Sequence, residues 1–365
     1  MNQTVSPSKP EETVTKQESR SSRLIPSRLS LQDKPSKPQR PIRLGIGLLG
    51  FFVIGFYLSL RFGAVSYSHA DIWSVLRQPL VSNDLQDVII DLRLPRMVAA
   101  ILVGAAMATA GLMMQGITRN PIADPGFLGV NAGAGLALVI GYALFGSMHY
   151  SGILLLCLLG SLVASVLVYG LSYVPRKGYD QLRLLLAGAM VSSLFSAIGQ
   201  AITIYFNLST AVIGWQAGGL IGVNWGMIRI IGPIILVGLV LAQIFAHQLT
   251  ILSFNETVAK SLGQRTNIMT FILLGIVLLL SAAGVAMIGA IAFVGLIIPH
   301  AIKHFVAKDY RLLLPFTMFG GATFMLWVDL VCRIYNPPYE TPLNAIISLI
   351  GLPCFLWLVR KGDQL

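Results

Sequence analysis

The chain has 365 residues, of which 55% are hydrophobic and only 11% are charged, and its formal net charge is +11. A soluble domain has about 25% charged residues, so this composition excludes an ordinary soluble protein and predicts a polytopic membrane protein. The positive charge does not indicate a nucleic-acid-binding protein, because the basic residues lie in an N-terminal tail and in short loops between apolar runs.

Residues 1–43 precede the first apolar run and are rich in Ser, Pro, Lys, Arg and Gln, a composition typical of a disordered tail. The apolar run begins only near Leu44 and no small-residue cleavage site follows it, so we do not expect a secretory signal. A solvated tail without a specific role is the simpler interpretation. Binding of its basic residues to anionic lipid is the alternative.

Apolar segments long enough to span a bilayer, about 20 residues each, follow along the rest of the chain. They predict an all-α membrane domain over residues 44–361. The bend between the seventh and eighth segments is the least marked, because only the stretch from Gly284 to Gly289 can turn the chain and no charge lies there. The ten predicted segments are 44–60, 97–117, 126–145, 153–173, 182–206, 228–246, 268–288, 289–306, 312–332 and 343–359.

The distribution of basic residues predicts the orientation of these segments. With the N-terminus inside, eleven basic residues outside the tail lie on the cytoplasmic side and six on the outer side, as the positive-inside rule requires. We therefore expect a multi-pass protein of the cytoplasmic membrane with both termini in the cytoplasm. The six outer residues are Arg61, Arg77, Arg93, Arg96, Arg229 and Arg333.

The loop after the second segment is rich in residues that stop a helix. Pro121 and Pro125 prevent helix continuation and Gly126 permits a tight turn, which predicts a rigid re-entry into the membrane. Small residues recur in the segments on both sides of this loop, at spacings that allow helix backbones to approach closely. Candidates for helix packing, or alternatively for lining a translocation path, are Gly104, Gly129, Asn131 and Gly133.

A polar stretch, residues 253–263, interrupts the apolar runs within the loop 249–266. Ser253 and Glu256 have the spacing of a capping box, and Gly263 suits the left-handed position after a helix end. The stretch therefore predicts one short helix with Phe254, Val258 and Leu262 along one side. A helix of this length is marginal by itself, so we expect it to dock on a partner.

Catalytic and metal-binding patterns are not evident in the sequence. No Gly-Lys dipeptide occurs, so the phosphate-binding GxxxxGK[ST] loop is missing, and the three cysteines lie in or beside apolar runs without a CxxC pattern. His300 and His304 share a helical spacing, but the intervening Lys303 disfavours a metal site. We therefore expect neither an enzyme nor a cofactor.

Few ionisable residues lie deep in the apolar segments. Carriers driven by an ion gradient usually have such residues, so the sequence disfavours an ion-coupled secondary carrier, which is the main alternative to a transporter driven by a partner protein. Asp329 and Arg333 are one helical turn apart and are expected to pair. Energy for transport would then come from outside the chain, through the polar stretch.

Several motifs in one order resemble the FecCD-type permeases, the membrane subunits of ABC importers for ferric siderophores, haem and cobalamin. The resemblance covers residues 44–361. One departure is Asn344, where family members usually have Gly. The motifs are RLPR (93–96), VGAA (103–106), Gln115, NPIADPG (120–126), LGVNAG (128–133), LLLAG (184–188), SLG (261–263), GAIAFVGLIIPH (289–300) and RLLLP (311–315).

The resemblance implies ten transmembrane helices of the type II importer kind, and a central path between two permease subunits that form a homodimer or a heterodimer. It also implies a cytoplasmic ABC ATPase dimer and an extracytoplasmic substrate-binding protein as partners. Ferric siderophore is the commonest substrate of the family, with haem or cobalamin as alternatives.

The resemblance further implies roles for particular residues. Arg93, Arg96 and Arg333 are expected to be exposed at the outer rim and to bind acidic residues of the binding protein, with snorkelling to lipid phosphate as the alternative. Contact with the ATPase is expected in the loop 249–266, through Ser253, Asn255, Glu256, Lys260, Ser261, Leu262 and Gly263.

Overall fold

The computed structural model describes residues 39–77, 84–146, 148–174, 178–179, 181–208, 210, 212, 214–215, 218–254, 256–306, 309–337 and 339–362. These residues are helical apart from connecting loops and one antiparallel pair of short strands, Tyr173–Val174 (β1) and Gly178–Tyr179 (β2). The expected all-α fold is confirmed. The predicted tail lies almost entirely outside the described residues.

Helices account for each predicted segment, and they are connected by short turns. A π-helical turn, Val88–Arg93, joins α3 to α4, and a 3-10 turn, Pro125–Leu128, precedes α5. The helices are α1 (Gln39–Arg61), α2 (His69–Arg77), α3 (Asp84–Asp87), α4 (Leu94–Thr118), α5 (Val130–Phe145), α6 (Tyr150–Ser172), α7 (Gln181–Tyr205), α8 (Trp225–Ile244), α9 (Ala246–Ser253), α10 (Glu256–Ser261), α11 (Thr266–Ile288), α12 (Val294–Lys303), α13 (Tyr310–Ile334) and α14 (Leu343–Gly362).

Seven of the ten predicted segments form helices that are long and apolar enough to cross a membrane, while α5, α12 and α14 have shorter apolar stretches. The expected bend after the seventh segment occurs at Gly289, which has a φ of +84° and ends α11. The eighth segment is the largest departure, because α12 has only 10 residues and rises about 15 Å. Half of a bilayer core is about that thick.

Helix α4 lies at the centre of the bundle and packs against α8, α11, α12 and α13. Two glycines of α4 allow backbones to meet. A Cβ atom on Gly104 would lie 2.3 Å from the carbonyl oxygen of Gly321, and one on Gly111 would lie 2.0 Å from that of Gly295. No side chain fits at such distances, so these glycines set the close contact of α4 with α13 and α12.

Contacts between helix termini define two opposite ends of the bundle. At the first, which we call the Arg96 end, α1 and α13 end and α4 begins: Arg333 Nη1 donates to the carbonyl of Ser59 at 3.2 Å. At the second, which we call the Gly263 end, Arg119 Nε after α4 donates to the carbonyl of Leu252 in α9 at 3.1 Å. These contacts place Arg93, Arg96 and Arg333 at one end, as the charge distribution predicted.

Candidate functional site

The polar stretch at the Gly263 end contains a helix break that the sequence analysis missed. Ser253 is the last residue of α9, and its hydroxyl donates to the carbonyl of Thr250 at 2.7 Å. Phe254 is extended, with a ψ of −178°, and α10 begins only at Glu256. The predicted capping by Ser253 is therefore wrong, because this hydroxyl is used by the preceding helix. Asn255, which precedes α10, lies outside the described residues.

The end of α10 agrees with the sequence prediction. Gly263 has a φ of +78°, and its N–H donates to the carbonyl of Lys260 at 2.9 Å, while the N–H of Gln264 donates to that of Ala259 at 3.1 Å. These two bonds form a Schellman motif, whose left-handed residue is most often glycine. Gly263 thus ends α10 and redirects the chain into α11.

Helix α10 buries one side chain in the bundle, while apolar side chains on it and on either side of it stay uncovered. Ala259 is fully buried, whereas Phe254, Val258 and Leu262 are 55%, 45% and 62% exposed. The Ser261 hydroxyl donates to the carbonyl of Val258 at 2.9 Å, so it serves the helix itself. We call Phe254, Val258 and Leu262 the apolar triad.

The chain on either side of α10 is firmly attached. Leu249 and Leu252 of α9 are buried, and the side-chain amide of Gln264 donates to the carbonyl of Gln248 at 2.9 Å. The Thr250 hydroxyl lies 3.3 Å from Asp309 Oδ1, beside the start of α13. These contacts connect α9 to the start of α13 and, through Arg119, to the end of α4.

At the Arg96 end the arginines form a charge cluster inside the chain. Arg96 Nε donates to Asp329 Oδ1 at 2.6 Å, and a second guanidinium nitrogen of Arg96 donates to Glu340. Arg333 Nη2 lies 3.0 Å from Asp329 Oδ2, which confirms the predicted pair within α13. The Asp329 side chain is fully buried, so its charge is balanced by two arginines rather than by water.

Arg93 lies at the same end, and its described partners are carbonyl groups and an aromatic ring rather than carboxylates. Its guanidinium donates to the carbonyls of Leu60 and Val65 and lies over the ring of Tyr67, 4.5 Å from the centroid. Carbonyl dipoles and an aromatic face are both favourable partners for a cation. Arg93 therefore joins the end of α1 to the start of α4.

The expectation that the three arginines are exposed at the rim is wrong. Arg93, Arg96 and Arg333 are only 7%, 8% and 7% exposed. The sequence revealed the pair of Arg333 with Asp329 but not the partners of Arg96, because Arg96 and Asp329 are 233 residues apart in the chain. Because the guanidinium groups turn inward, snorkelling to lipid phosphate does not describe them either.

A groove of about 400 Å³ lies between α5, α7 and the segments near Trp215 and Ala290. Its polar side chains are neutral. Those of α7 recur every four residues, and the Asn131 amide of α5 also donates to the carbonyl of Ile291 at 3.1 Å. Neutral amides and hydroxyls donate or accept hydrogen bonds without a fixed charge. The polar lining residues are Asn131, Ser192, Ser196, Gln200 and Trp215.

The other candidates for packing or for a path lie elsewhere. Gly104 contacts α13, as described, and a Cβ atom on Gly133 would lie 2.2 Å from the carbonyl oxygen of Gly160 in α6. Gly129 has a φ of +72° and precedes α5. Of the four residues, only Asn131 reaches the groove. The polar residues of α7 were missed, although their spacing within an apolar segment was a signal for them.

The loop between α4 and α5 has the rigid turn that its prolines predicted. The Asp124 carboxylate accepts from the backbone N–H of Gly126 at 2.8 Å and thereby caps the 3-10 turn. Burial raises the pKa of Asp124 to about 6, against the opposing effect of that N–H. Gly126 also lines the groove, so this turn connects the end of α4 to it.

Comparison with known proteins gives a consistent result. The sequence profile of the FecCD transport family matches residues 51–361. The iron(3+)-hydroxamate import system permease protein FhuB of Bacillus subtilis is 37% identical over 84% of this chain and 80% of its own length. The hemin transport system permease protein HmuU of Yersinia pestis is 33% identical over 87% of this chain and 96% of its own length.

A solved structure has the same fold. A metal-chelate type ABC transporter in an inward-facing conformation superposes with a TM-score of 0.77 and 31% identity, covering 88% of this chain and 99% of the other.

Proposed function

This chain belongs to the FecCD transport family, and from that premise we propose that it moves a ferric siderophore across the cytoplasmic membrane as the permease subunit of an ABC importer. The observation that carries the proposal is the match over nearly the whole membrane domain to relatives named for iron chelates. These include an Fe(3+)-citrate permease of Bacillus subtilis and a ferric enterobactin permease of Escherichia coli. Haem is the second candidate, because the haemin permease is about equally similar.

The chemistry of the groove between α5 and α7 supports transport of an intact chelate. Bare Fe³⁺ is a hard cation that binds best to anionic oxygen ligands, and the described groove lining contains no carboxylate. Asn131, Ser196 and Gln200 instead offer neutral donors and acceptors to the organic shell of a chelate. We propose that this groove forms one half of the path and that a second permease subunit supplies the other half.

We propose that the apolar triad docks on a cytoplasmic ABC ATPase dimer. Uncovered apolar side chains on and beside a short, well-ended helix are typical of a segment that binds in a groove of a partner. Glu256, Lys260 and Ser261 lie within the same helix, and we propose that they and Asn255 also contact the ATPase. Closure of the ATPase would then move α10, and the contacts of α9 would transmit the movement to α4 and α13. ATP hydrolysis is assigned to the partner.

For the Arg96 end we propose docking of an extracytoplasmic substrate-binding protein, with Arg93 and Arg333 positioning the surface from beneath it. Glu340 covers Arg96 and is the most exposed member of the cluster, with a side chain 31% exposed. We propose that a carboxylate of the partner replaces Glu340 beside Arg96 on docking. With the Arg96 end outside, both termini would lie in the cytoplasm.

Reconstitution tests the proposal. The chain is placed in liposomes with the ATPase subunit and the binding protein that co-purify with it, and uptake of radioactive iron is measured as ferric hydroxamate, ferric citrate, haemin or uncomplexed Fe³⁺. We expect ATP-dependent uptake of one siderophore complex and none of uncomplexed Fe³⁺. Uptake of haemin and of none of the other complexes would identify haem as the substrate. Uptake by the chain alone, driven by an ion gradient, would contradict the importer and favour a carrier.

A further inference from the structure

A second groove, of about 800 Å³, lies on the flank of the bundle at the Gly263 end, between the first half of α1 and the end of α12. Its walls are apolar along most of their length, formed by Leu44, Leu48, Phe51 and Phe305. Two nitrogen-bearing side chains also line it, Arg43 of α1 and His304, which directly follows α12. Among the described residues, the lining includes no acidic side chain.

The inner end of this groove is fixed by stacked aromatic rings. Phe51 stacks on Trp327 of α13, with ring centroids 4.5 Å apart and planes 10° apart. The indole N–H of Trp327 donates to the carbonyl of Phe51 at 3.1 Å. Because this contact holds α1 against α13, the wall of the groove is part of the folded bundle.

Gly47 keeps the groove open. A Cβ atom built on Gly47 has no other atom within 4 Å, so a larger side chain there would enter the groove without displacing a neighbour. Gly50, one turn later on α1, also has no atom within 4 Å, but it does not line the groove.

We propose that this groove binds one anionic phospholipid of the bilayer, its phosphate held by Arg43 and His304 and an acyl chain lying along Gly47 and Phe51. The arrangement joins an apolar groove along the first half of α1 to the cationic side chain of Arg43 near the start of that helix. Basic pockets between helices are the sites where anionic headgroups bind. A zwitterionic lipid carries a cation of its own, which would lie close to Arg43 and repel it. We therefore expect the groove to prefer an anionic lipid. The inference is independent of the transported substrate.

Native mass spectrometry of the full detergent-solubilised chain, titrated with phosphatidylglycerol or with phosphatidylcholine of the same acyl chains, tests the proposal. We expect one phosphatidylglycerol per chain, bound several-fold more tightly than phosphatidylcholine. Arg43→Gln should weaken phosphatidylglycerol about fivefold and leave phosphatidylcholine unchanged. Arg311→Gln is the matched control, because Arg311 is exposed at the same end, in the first turn of α13, and lies outside the groove.

A second pair of variants tests the channel. Gly47→Phe should reduce retention of both lipids, whereas Gly50→Phe should not. Equal binding of the two lipids, or equal effects within either pair of variants, would overturn the proposal. A cross-link from residues 1–38 to Phe51, together with loss of lipid retention, would also overturn it and assign the groove to the tail of this chain.

Discussion

The two ends of the bundle use their side chains in opposite ways. At the Arg96 end, charged side chains are buried and paired with each other across α4 and α13. At the Gly263 end, Phe254 and Leu262, which lie on either side of the short helix α10, are more than half exposed. Buried ion pairs need all of their partners within the chain, whereas exposed apolar side chains gain free energy only when another surface covers them. We therefore expect the first end to stabilise the subunit, and the proposed ATPase contact to cover the second.

The largest effect should follow from breaking the charge cluster. Asp329→Asn leaves Arg96 and Arg333 without their shared buried carboxylate, so we expect a loss of about 3–5 kcal/mol in the free energy of unfolding. Thermal unfolding of the solubilised chain, followed by labelling of the buried thiols of Cys157 and Cys332, measures it. An unchanged unfolding temperature would show that the cluster does not stabilise the subunit.

The next effect concerns the end of α10. Gly263→Val places a β-branched residue at a φ of +78°, which costs about 1–2 kcal/mol locally and disrupts the turn into α11. We expect ATP-driven uptake to stop while the partner ATPase continues to hydrolyse ATP. Gly275→Val is the control, because Gly275 also has no atom within 4 Å and lies inside α11 without a positive φ. Normal uptake by Gly263→Val would contradict the assignment of force transfer to α10.

A change in the apolar triad should separate docking from folding. Val258→Asp puts a charge on the uncovered face, and we expect the affinity for the ATPase to fall about tenfold to a hundredfold, the equivalent of losing one buried apolar side chain. The unfolding temperature should stay within the error of the wild type, since Val258 is 45% exposed. A pull-down with the ATPase measures docking, and a thermal scan measures the stability of the fold. Loss of thermal stability would show that the triad belongs to the fold.

The smallest effect is expected at Glu340, which belongs both to the charge cluster and to the proposed docking surface. Glu340→Gln removes a partly exposed charge and should change the free energy of unfolding by less than about 1 kcal/mol. If docking replaces Glu340, the variant should bind the substrate-binding protein a few-fold more tightly. Surface plasmon resonance with the permease in nanodiscs measures the affinity. Weaker binding would place Glu340 itself in the docking contact.

Local patterns predicted much of the Gly263 end. Gly263 was identified from its place after a polar stretch, because the Schellman motif involves residues within six positions of each other. The start of the same helix was predicted wrongly, since Ser253 can serve either the helix before it or the helix after it. Packing of Leu249 and Leu252 in the bundle extends α9 to Ser253 and decides between them.

The Arg96 end shows what local patterns miss. Asp329 and Arg333 were paired correctly because they are one turn apart on a helix. Arg96 was assigned to the surface, since neither its burial nor its distance from Asp329 and Glu340 can be inferred from neighbouring residues. The groove residues Ser192, Ser196 and Gln200 share a helical face, but only the position of α5 shows that this face encloses a space.

Hydrophobicity alone determined the membrane character of this protein and its ten apolar segments, because each helix in a bilayer must satisfy its own backbone hydrogen bonds. The stretch from Gly284 to Gly289 indicated the bend after the seventh segment. The tertiary structure decided which helices are too short to span, which arginines are buried and which polar side chains face a groove. These properties depend on contacts between residues far apart in the chain, such as Arg96 with Asp329 and Gly104 with Gly321.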